Sequence, residues 1–431
     1  MKEKYQLSYQ NSRKAWKDLI LLYFLILLVS VLTGVISHYL LAALHFVTAY
    51  RQRHYYLLFY LPLIGMVSAF VYQKFGRGAQ KGNNLIIESL ENEAIVPGRM
   101  AVFTFIFTIL SHLFGASVGR EGSAVQIGGV FANKMADFFH LEKNNRKWLI
   151  HAGISAGFSS IFGTPLAGSF FGMEMAFVGN LERAAMIPCF LSAYLANYIS
   201  KLLGTTHDIH DMGSLPVFSI KLVLLVILAA ILFGIFGHFF ALLTHSLKQI
   251  YTSIFKNYLL RAFITSVIVV IVLWLTKGQR FMGLSLPLID DAFVGKTTFL
   301  DPIVKLVTTA LSLAAGLQGG EVTPLFAIGS SLGSSLGNLF GVSPAFLAAL
   351  GLIAVFGCAA NAPLTTIMLG IDLFDVKALP YFIITSFVSY FVSGHQGIYT
   401  SQTIIHAKSI FLKHHEGYQI GTIKEATKNK K

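Results

Sequence analysis

The chain has 431 residues, 55% hydrophobic and only 12% charged, and its mean hydropathy is +0.66. Those values exclude an ordinary water-soluble globule and describe a polytopic membrane protein. The formal net charge of +13 comes without basic and aromatic residues interleaved on an amphipathic face, so nucleic acid is not an expected partner.

Basic residues open the chain at Lys2, Lys4, Arg13, Lys14 and Lys17, and residues 1–17 read as a cytoplasmic N-terminal segment. The apolar run that follows, 18–50, is too long for the core of a signal peptide and is not followed by a small-residue cleavage site, so it reads as a retained helix. Further apolar runs come at 55–74, 99–118, 148–178, 184–200, 218–247, 258–276, 300–317, 343–375 and 378–393. One span takes about 20 residues. Several of these runs are longer and several shorter, which predicts broken and tilted helices. Basic residues return in KNNRK at 143–147 and at Lys424, Lys428, Lys430 and Lys431, and the positive-inside rule puts both termini in the cytoplasm of a cell-membrane protein. Residues 409–431 read as a short polar tail, too small for a regulatory domain.

Cys189 and Cys358 both lie in apolar surroundings, which excludes a disulfide scaffold and a cysteine-built metal site. His112 and His238 read as packing residues, and Asp290-Asp291 as a solvated loop end. With no His, Cys and carboxylate cluster at metal-ligand spacing, neither a metal nor a cofactor is expected.

The chain repeats itself. GISAGFSSIFGTPLAGSFFGME (153–174) lies over GLIAVFGCAANAPLTTIMLGID (351–372) at an offset of 198, with Glu174 meeting Asp372. At an offset of 201, GNNLII (82–87) meets GLSLPL (283–288) and SAVQIG (123–128) meets PLFAIG (324–329). Two membrane halves follow, 18–215 and 216–408, and the substrate site of such repeats lies where their interrupted helices meet. A helix that starts inside the membrane leaves its first N–H groups unpaired, so several such starts converging form an anion site.

The string GREGSAVQIGG (119–129) places Glu121 in an apolar setting, and GGEVTPLFAIG (319–329) is its counterpart. These two strings, with GNNLI (82–86) and the tyrosine of SGHQGIYTSQ (393–402), together resemble the four anion-pathway motifs of the CLC superfamily of anion channels and anion/proton antiporters. The resemblance implies an all-α bundle of broken and tilted helices in two inverted halves, in a homodimer with one pathway per subunit. Chloride-transporting members carry Gly-Ser-Gly-Ile-Pro in the first motif, where this chain has Gly82-Asn83-Asn84-Leu85-Ile86, and Gly-x-Phe-x-Pro in the third, where it has Gly320-Glu321-Val322-Thr323-Pro324. Both departures are similar to the fluoride/proton antiporter clade.

An ionised carboxylate in a low-dielectric pocket is costly unless donors surround it. A glutamate over a ring of N–H groups can hold the site as a pseudo-anion, or take a proton and leave it to a real one. The resemblance gives Glu121 this role of proton and anion gate. It implies a pathway lined by Gly82, Asn83, Asn84, Arg120, Gly122, Glu321, Val322, Thr323 and Tyr399, with Arg120 contributing backbone and helix-end charge rather than a ligand. Asn83 offers two N–H donors where a serine offers one, and fluoride needs strong donors to replace its water. The family's inner proton acid falls at Met175 here, with Glu174 just before it, so Glu321 and then Glu174 are the candidates for an inner relay.

The expected function is therefore export of cytoplasmic fluoride in exchange for protons. Chloride/proton exchange or passive anion flow on the same scaffold is the alternative. A membrane-embedded enzyme using Glu121 or His112 as base is remote, since no nucleophile, base and orienting group occur together.

Overall fold

The computed structural model describes residues 2–91, 94–276 and 278–423, with side chains in the first helix from residue 14 onward. The basic side chains of Lys2, Lys4, Arg13, Lys424, Lys428, Lys430 and Lys431 lie outside the described residues. Among the described residues, eight α-helices make the first part: α1 Lys2–Arg53, α2 Leu61–Phe75, α3 Asn83–Glu91, α4 Arg99–Leu113, α5 Glu121–Phe138, α6 Lys143–Phe162, α7 Pro165–Glu174 and α8 Met186–Leu202. Eight more follow: α9 Ile220–Ile254, α10 Tyr258–Leu275, α11 Leu286–Phe293, α12 Leu300–Ala314, α13 Val322–Phe340, α14 Pro344–Ala360, α15 Pro363–Leu373 and α16 Leu379–Val392. The 215/216 boundary between the halves falls in the irregular stretch between α8 and α9.

The long apolar runs break where the sequence carries helix stops and starts. The run 148–178 becomes α6 and α7, split by Gly163 in the left-handed region and by Pro165 in the first turn of the next helix. The run 343–375 splits in the same way into α14 and α15, at Asn361 and Pro363. Among the described residues, four helices are long and apolar enough to cross a membrane, Lys14–Arg53, Tyr55–Phe75, Ile220–Ile254 and Tyr258–Leu275. Side-chain caps start α9, α10 and α14, from Ser219, Asn257 and Ser343.

The repeat is written into the backbone. Gly82 and Gly283, 201 residues apart, have φ of +59° and +58°, and Gly115 and Gly316, at the same offset, have +84° and +83°. Where α5 crosses α6, a Cβ on Gly128 would overlap the Gly153 carbonyl; where α13 crosses α14, a Cβ on Gly329 would overlap that of Gly351. Only glycine permits so close a crossing. The halves meet at their motif loops, where Gly119 N–H donates to Gly320 O at 2.6 Å and Gly320 N–H to Gly119 O at 2.7 Å. Such reciprocity is what a two-fold relation between equivalent segments produces.

Two sequence expectations are corrected. Asp290 and Asp291 are not a loop end: they lie in α11, where Asp290 pairs with His210 at 3.0 Å and Asp291 with Arg280 at 3.2 Å. Residues 409–423, read as a polar tail, fold back on the bundle. Just before them a two-residue strand β2, Thr403–Ile404, runs parallel to β1, Phe177–Val178; Gln419 bridges back to Thr403, and Ile420 packs with Val178, Tyr390 and Ile404.

Candidate anion site

Glu121 opens α5, and its side chain is completely buried. Its Oε2 accepts from the backbone N–H of Arg120 and from that of Thr323 in the first turn of α13, both at 3.1 Å. Its Oε1 accepts from the Thr323 hydroxyl and from Arg120 Nε, the latter at 3.3 Å. The carboxylate therefore sits between two helix N-termini, one from each half, on the free donors those ends present. Arg120 and Glu121 form an ion pair in the protein interior.

Asn83 and Glu321 reach the same place from the other side. A Cβ on Gly122 would stand 3.0 Å from Asn83 Nδ2, 3.0 Å from Gly320 Cα and 3.3 Å from Glu321 Oε2. The glycines let two backbones, an amide and a carboxylate converge on a space the size of one atom. Glu321 Oε2 and Asn83 Oδ1 are buried without hydrogen-bond partners among the described residues.

A cavity of about 430 Å³ leads to this point, with Gly82, Asn83, Asn84, Lys248, Arg261, Glu321 and Tyr399 in its wall. Tyr399 is 1% exposed and packs edge-on against Phe171, ring centroids 6.4 Å apart. Helix α3 carries the tyrosine segment on one face: Asn84 Oδ1 accepts from Ser401 N–H at 3.0 Å, Glu88 from Ser401 Oγ at 3.1 Å and Glu91 from Thr403 Oγ1 at 2.9 Å. Asn84 thus positions Tyr399 as well as lining the cavity. Val322 is buried at the start of α13 beside Thr323.

Glu174 is not brought to this cavity. Both its oxygens are taken up at the start of α15, by Leu364 N–H, Thr365 N–H and the Thr365 hydroxyl. Met175 is fully buried.

Residues 64–394 match the voltage gated chloride channel family, and the chain is 38% identical over 388 residues to the chloride/fluoride channel protein of Pseudomonas syringae pv. tomato, which covers 88% of this chain and 86% of that protein. The chain belongs to the voltage gated chloride channel family. It is also 25% identical to the H(+)/Cl(-) exchange transporter ClcA of Vibrio vulnificus, over 81% of each chain. Among solved structures, a CLC-type fluoride/proton antiporter superposes with a TM-score of 0.87 at 35% identity, covering 90% of this chain and 98% of that one. A slow cyanobacterial Cl-/H+ antiporter superposes at 0.77 with 20% identity, covering 88% and 96%, a likeness of fold. The architecture is the family's: an all-α membrane bundle of broken helices in two inverted halves.

Within this voltage gated chloride channel scaffold, two features escaped the motif reading. Lys305, fully buried in α12, donates to Ser117 Oγ, Phe281 O and Gly283 O at 2.8, 3.1 and 3.0 Å and so ties down the loop that leads to Arg120. A single lysine in the apolar run 300–317 was the available signal. Asp208 lies between the halves and reaches Arg120 Nη2 at 3.3 Å. Its signal was the acidic and histidine-rich string HDIHD (207–211).

Proposed function

We propose that the protein is a secondary active transporter, not an enzyme, that exports cytoplasmic fluoride in exchange for protons. The observation that carries this reading is the Glu121 carboxylate lodged on the N-termini of α5 and α13. It occupies the place of an anion and can yield that place only by losing its charge or moving away, which couples protons to anions. The Asn83 amide at the inner edge of the same space, and the names of the relatives above, favour fluoride. Glu321 is the candidate for the inner proton relay.

One ion pair and one helix support a sidedness. Lys14 meets Glu142 at 3.3 Å, so the basic N-terminal end and KNNRK (143–147) share a face. The 20 residues of α6, about 30 Å at 1.5 Å per residue, run from that face to Phe162, which borders a small cavity beside Arg120. With the basic face cytoplasmic, the Asn83 cavity opens inward and the Arg120 side faces out. Both termini are then cytoplasmic in a cell-membrane protein, and each subunit of a homodimer holds its own pathway.

Fluoride and chloride efflux from proteoliposomes, each with and without an imposed proton gradient, tests the reading. Fluoride-preferring, proton-driven efflux is expected. Chloride preference would move the protein to chloride/proton exchange, and flux indifferent to the gradient would make it a passive channel.

A further inference from the structure

The string HDIHD between α8 and α9 puts four titratable groups into five residues of a chain that is only 12% charged. It folds over the Arg120 end of the pathway. The Arg120 guanidinium reaches Glu121 Oε1 through Nε and Asp208 Oδ2 through Nη2, each at 3.3 Å. It thereby bridges a carboxylate that is 0% exposed to one that is 37% exposed.

His207 lies beside this bridge. Its ring packs on Gly163, where any Cβ would overlap it, and neither buried ring nitrogen is held by a well-formed hydrogen bond among the described residues. Beside the ring is a cavity of about 40 Å³ with one polar wall, Arg120, His207, Asp208, His210 and Thr323, the rest being apolar side chains of α6, α11, α13, α14 and α15. One water needs roughly 10–15 Å³ and two to four polar partners, so the space has room for water along its polar wall. Two residues of that wall, Arg120 and Thr323, are themselves bonded to the Glu121 carboxylate.

The charged groups facing His207 are Arg120 from the α5 cap, Lys201 from α8, and Asp208 and His210 from its own loop, with Asp290 of α11 behind His210. Burial, then Arg120 and Lys201, hold the imidazole down to about 4, while Asp208 and the Ile161 backbone oppose them. The ring is thus neutral at rest and gives up a captured proton readily, as a carrier must.

We propose that His207, seated beside Asp208, is the outer proton relay of this transporter, taking a proton from the outer solvent and handing it through cavity water to Glu121. One N–H bond breaks on the imidazolium and one O–H bond forms on the carboxylate, which then leaves the helix ends to the anion. The neutral ring is reloaded from solvent, and Asp208 keeps Arg120 in place during the transfer. The proposal rests on the exchange reading above.

The test uses the full-length protein in liposomes, with fluoride efflux and proton uptake recorded together as the outer pH is stepped from about 5 to about 8. His207→Gln is expected to slow both fluxes by roughly tenfold to a hundredfold at the alkaline end, where protons are scarce, and less at the acid end, with their ratio unchanged. Imidazole added outside is expected to restore the rate, and in a Glu121→Gln background the second substitution is expected to have no further effect. A His207→Gln profile that matches the parent at every pH, or a loss that imidazole does not repair, overturns the relay. Should His207→Gln not fold, Asp208→Cys labelled from outside by a bulky thiol reagent serves instead, since Cys189 and Cys358 are buried. Labelling that leaves proton uptake unchanged overturns the proposal. A parent protein that moves anions without protons fails the exchange reading itself, a separate outcome.

Discussion

Glu174 and Asp372 cap each other's helices. Glu174, the last residue of α7, accepts from Leu364 N–H at 3.1 Å, Thr365 N–H at 2.8 Å and Thr365 Oγ1 at 2.7 Å at the start of α15; Asp372, near the end of α15, accepts from Ala167 N–H at 2.9 Å at the start of α7. The two acids are 198 residues apart, the offset of the repeat. Each half therefore supplies the acceptor oxygens for N–H groups at the other half's buried helix start.

Glu174→Ala is expected to destabilise the protein by about 2–4 kcal/mol, combining the loss of a cap with two N–H groups and a hydroxyl left unpaired in the interior. Asp372→Ala is expected to cost about 1 kcal/mol. Thermal unfolding in detergent reads the loss, and proton-coupled anion flux in the Glu174→Gln protein reads the role. Coupling that disappears in Glu174→Gln while stability is kept would restore Glu174 as a relay.

Much of this was legible in the sequence, because a helix that breaks inside a membrane must spell its break. Gly163, Asn361, Pro165 and Pro363 are local signals, and their fixed offset announced the repeat. The convergence of Glu121, Asn83 and Thr323 was legible only through the motifs. The swapped caps were not: Glu174 and Thr365 share no local pattern, and a carboxylate ending an apolar helix reads equally well as a proton carrier. The bridge from Arg120 to Asp208 was hidden for the same reason, and the folding back of residues 409–423 runs through a few backbone bonds from Gly417, Tyr418, Ile420 and Gly421 to residues 400–404, too short a pairing to leave a period.

Glu121→Gln keeps the shape of the gate and removes the charge that makes it an anion mimic. Anion flux is expected to survive, while proton uptake driven by a fluoride gradient is expected to vanish. A pH electrode and a fluoride electrode in one liposome experiment read both. Proton uptake that persists in this variant contradicts the gate.

Gly320→Ala places a Cβ 2.5 Å from the Gly122 nitrogen and 3.2 Å from that of Glu121, forcing the two helix starts apart. A displacement of that order at a reacting centre costs roughly a hundredfold in rate, and fluoride efflux is expected to fall by about that much. Gly98→Ala is the control, since its Cβ would meet only the flexible Lys134 chain at 3.6 Å. Near-normal efflux from Gly320→Ala would mean that the convergence is not needed.

Asn83→Ser replaces two amide donors with one hydroxyl at the edge of the site. The loss of one net hydrogen bond, about 1.4 kcal/mol, is roughly tenfold, so the ratio of fluoride to chloride efflux is expected to drop about tenfold with the proton coupling intact. An unchanged ratio would remove Asn83 from the selectivity argument.

Lys408 gives the chain a pH dependence outside the spanning helices. Its Nζ donates to Ser393 Oγ at 2.9 Å and stands 4.0 Å from the centre of the Tyr390 ring, and burial pushes its ammonium down from 10.5 to about 7. Between those values the unfolded segment binds a proton that the docked one does not, so docking strengthens as pH rises through the window and is weakest below about 7. Hydrogen exchange across residues 403–423, corrected for intrinsic rate, is expected to show protection growing from about pH 7 to about pH 9, and Lys408→Met is expected to flatten the curve at its protected end. Protection that stays level in the parent protein would mean that Lys408 remains charged in place, held by the Tyr390 ring.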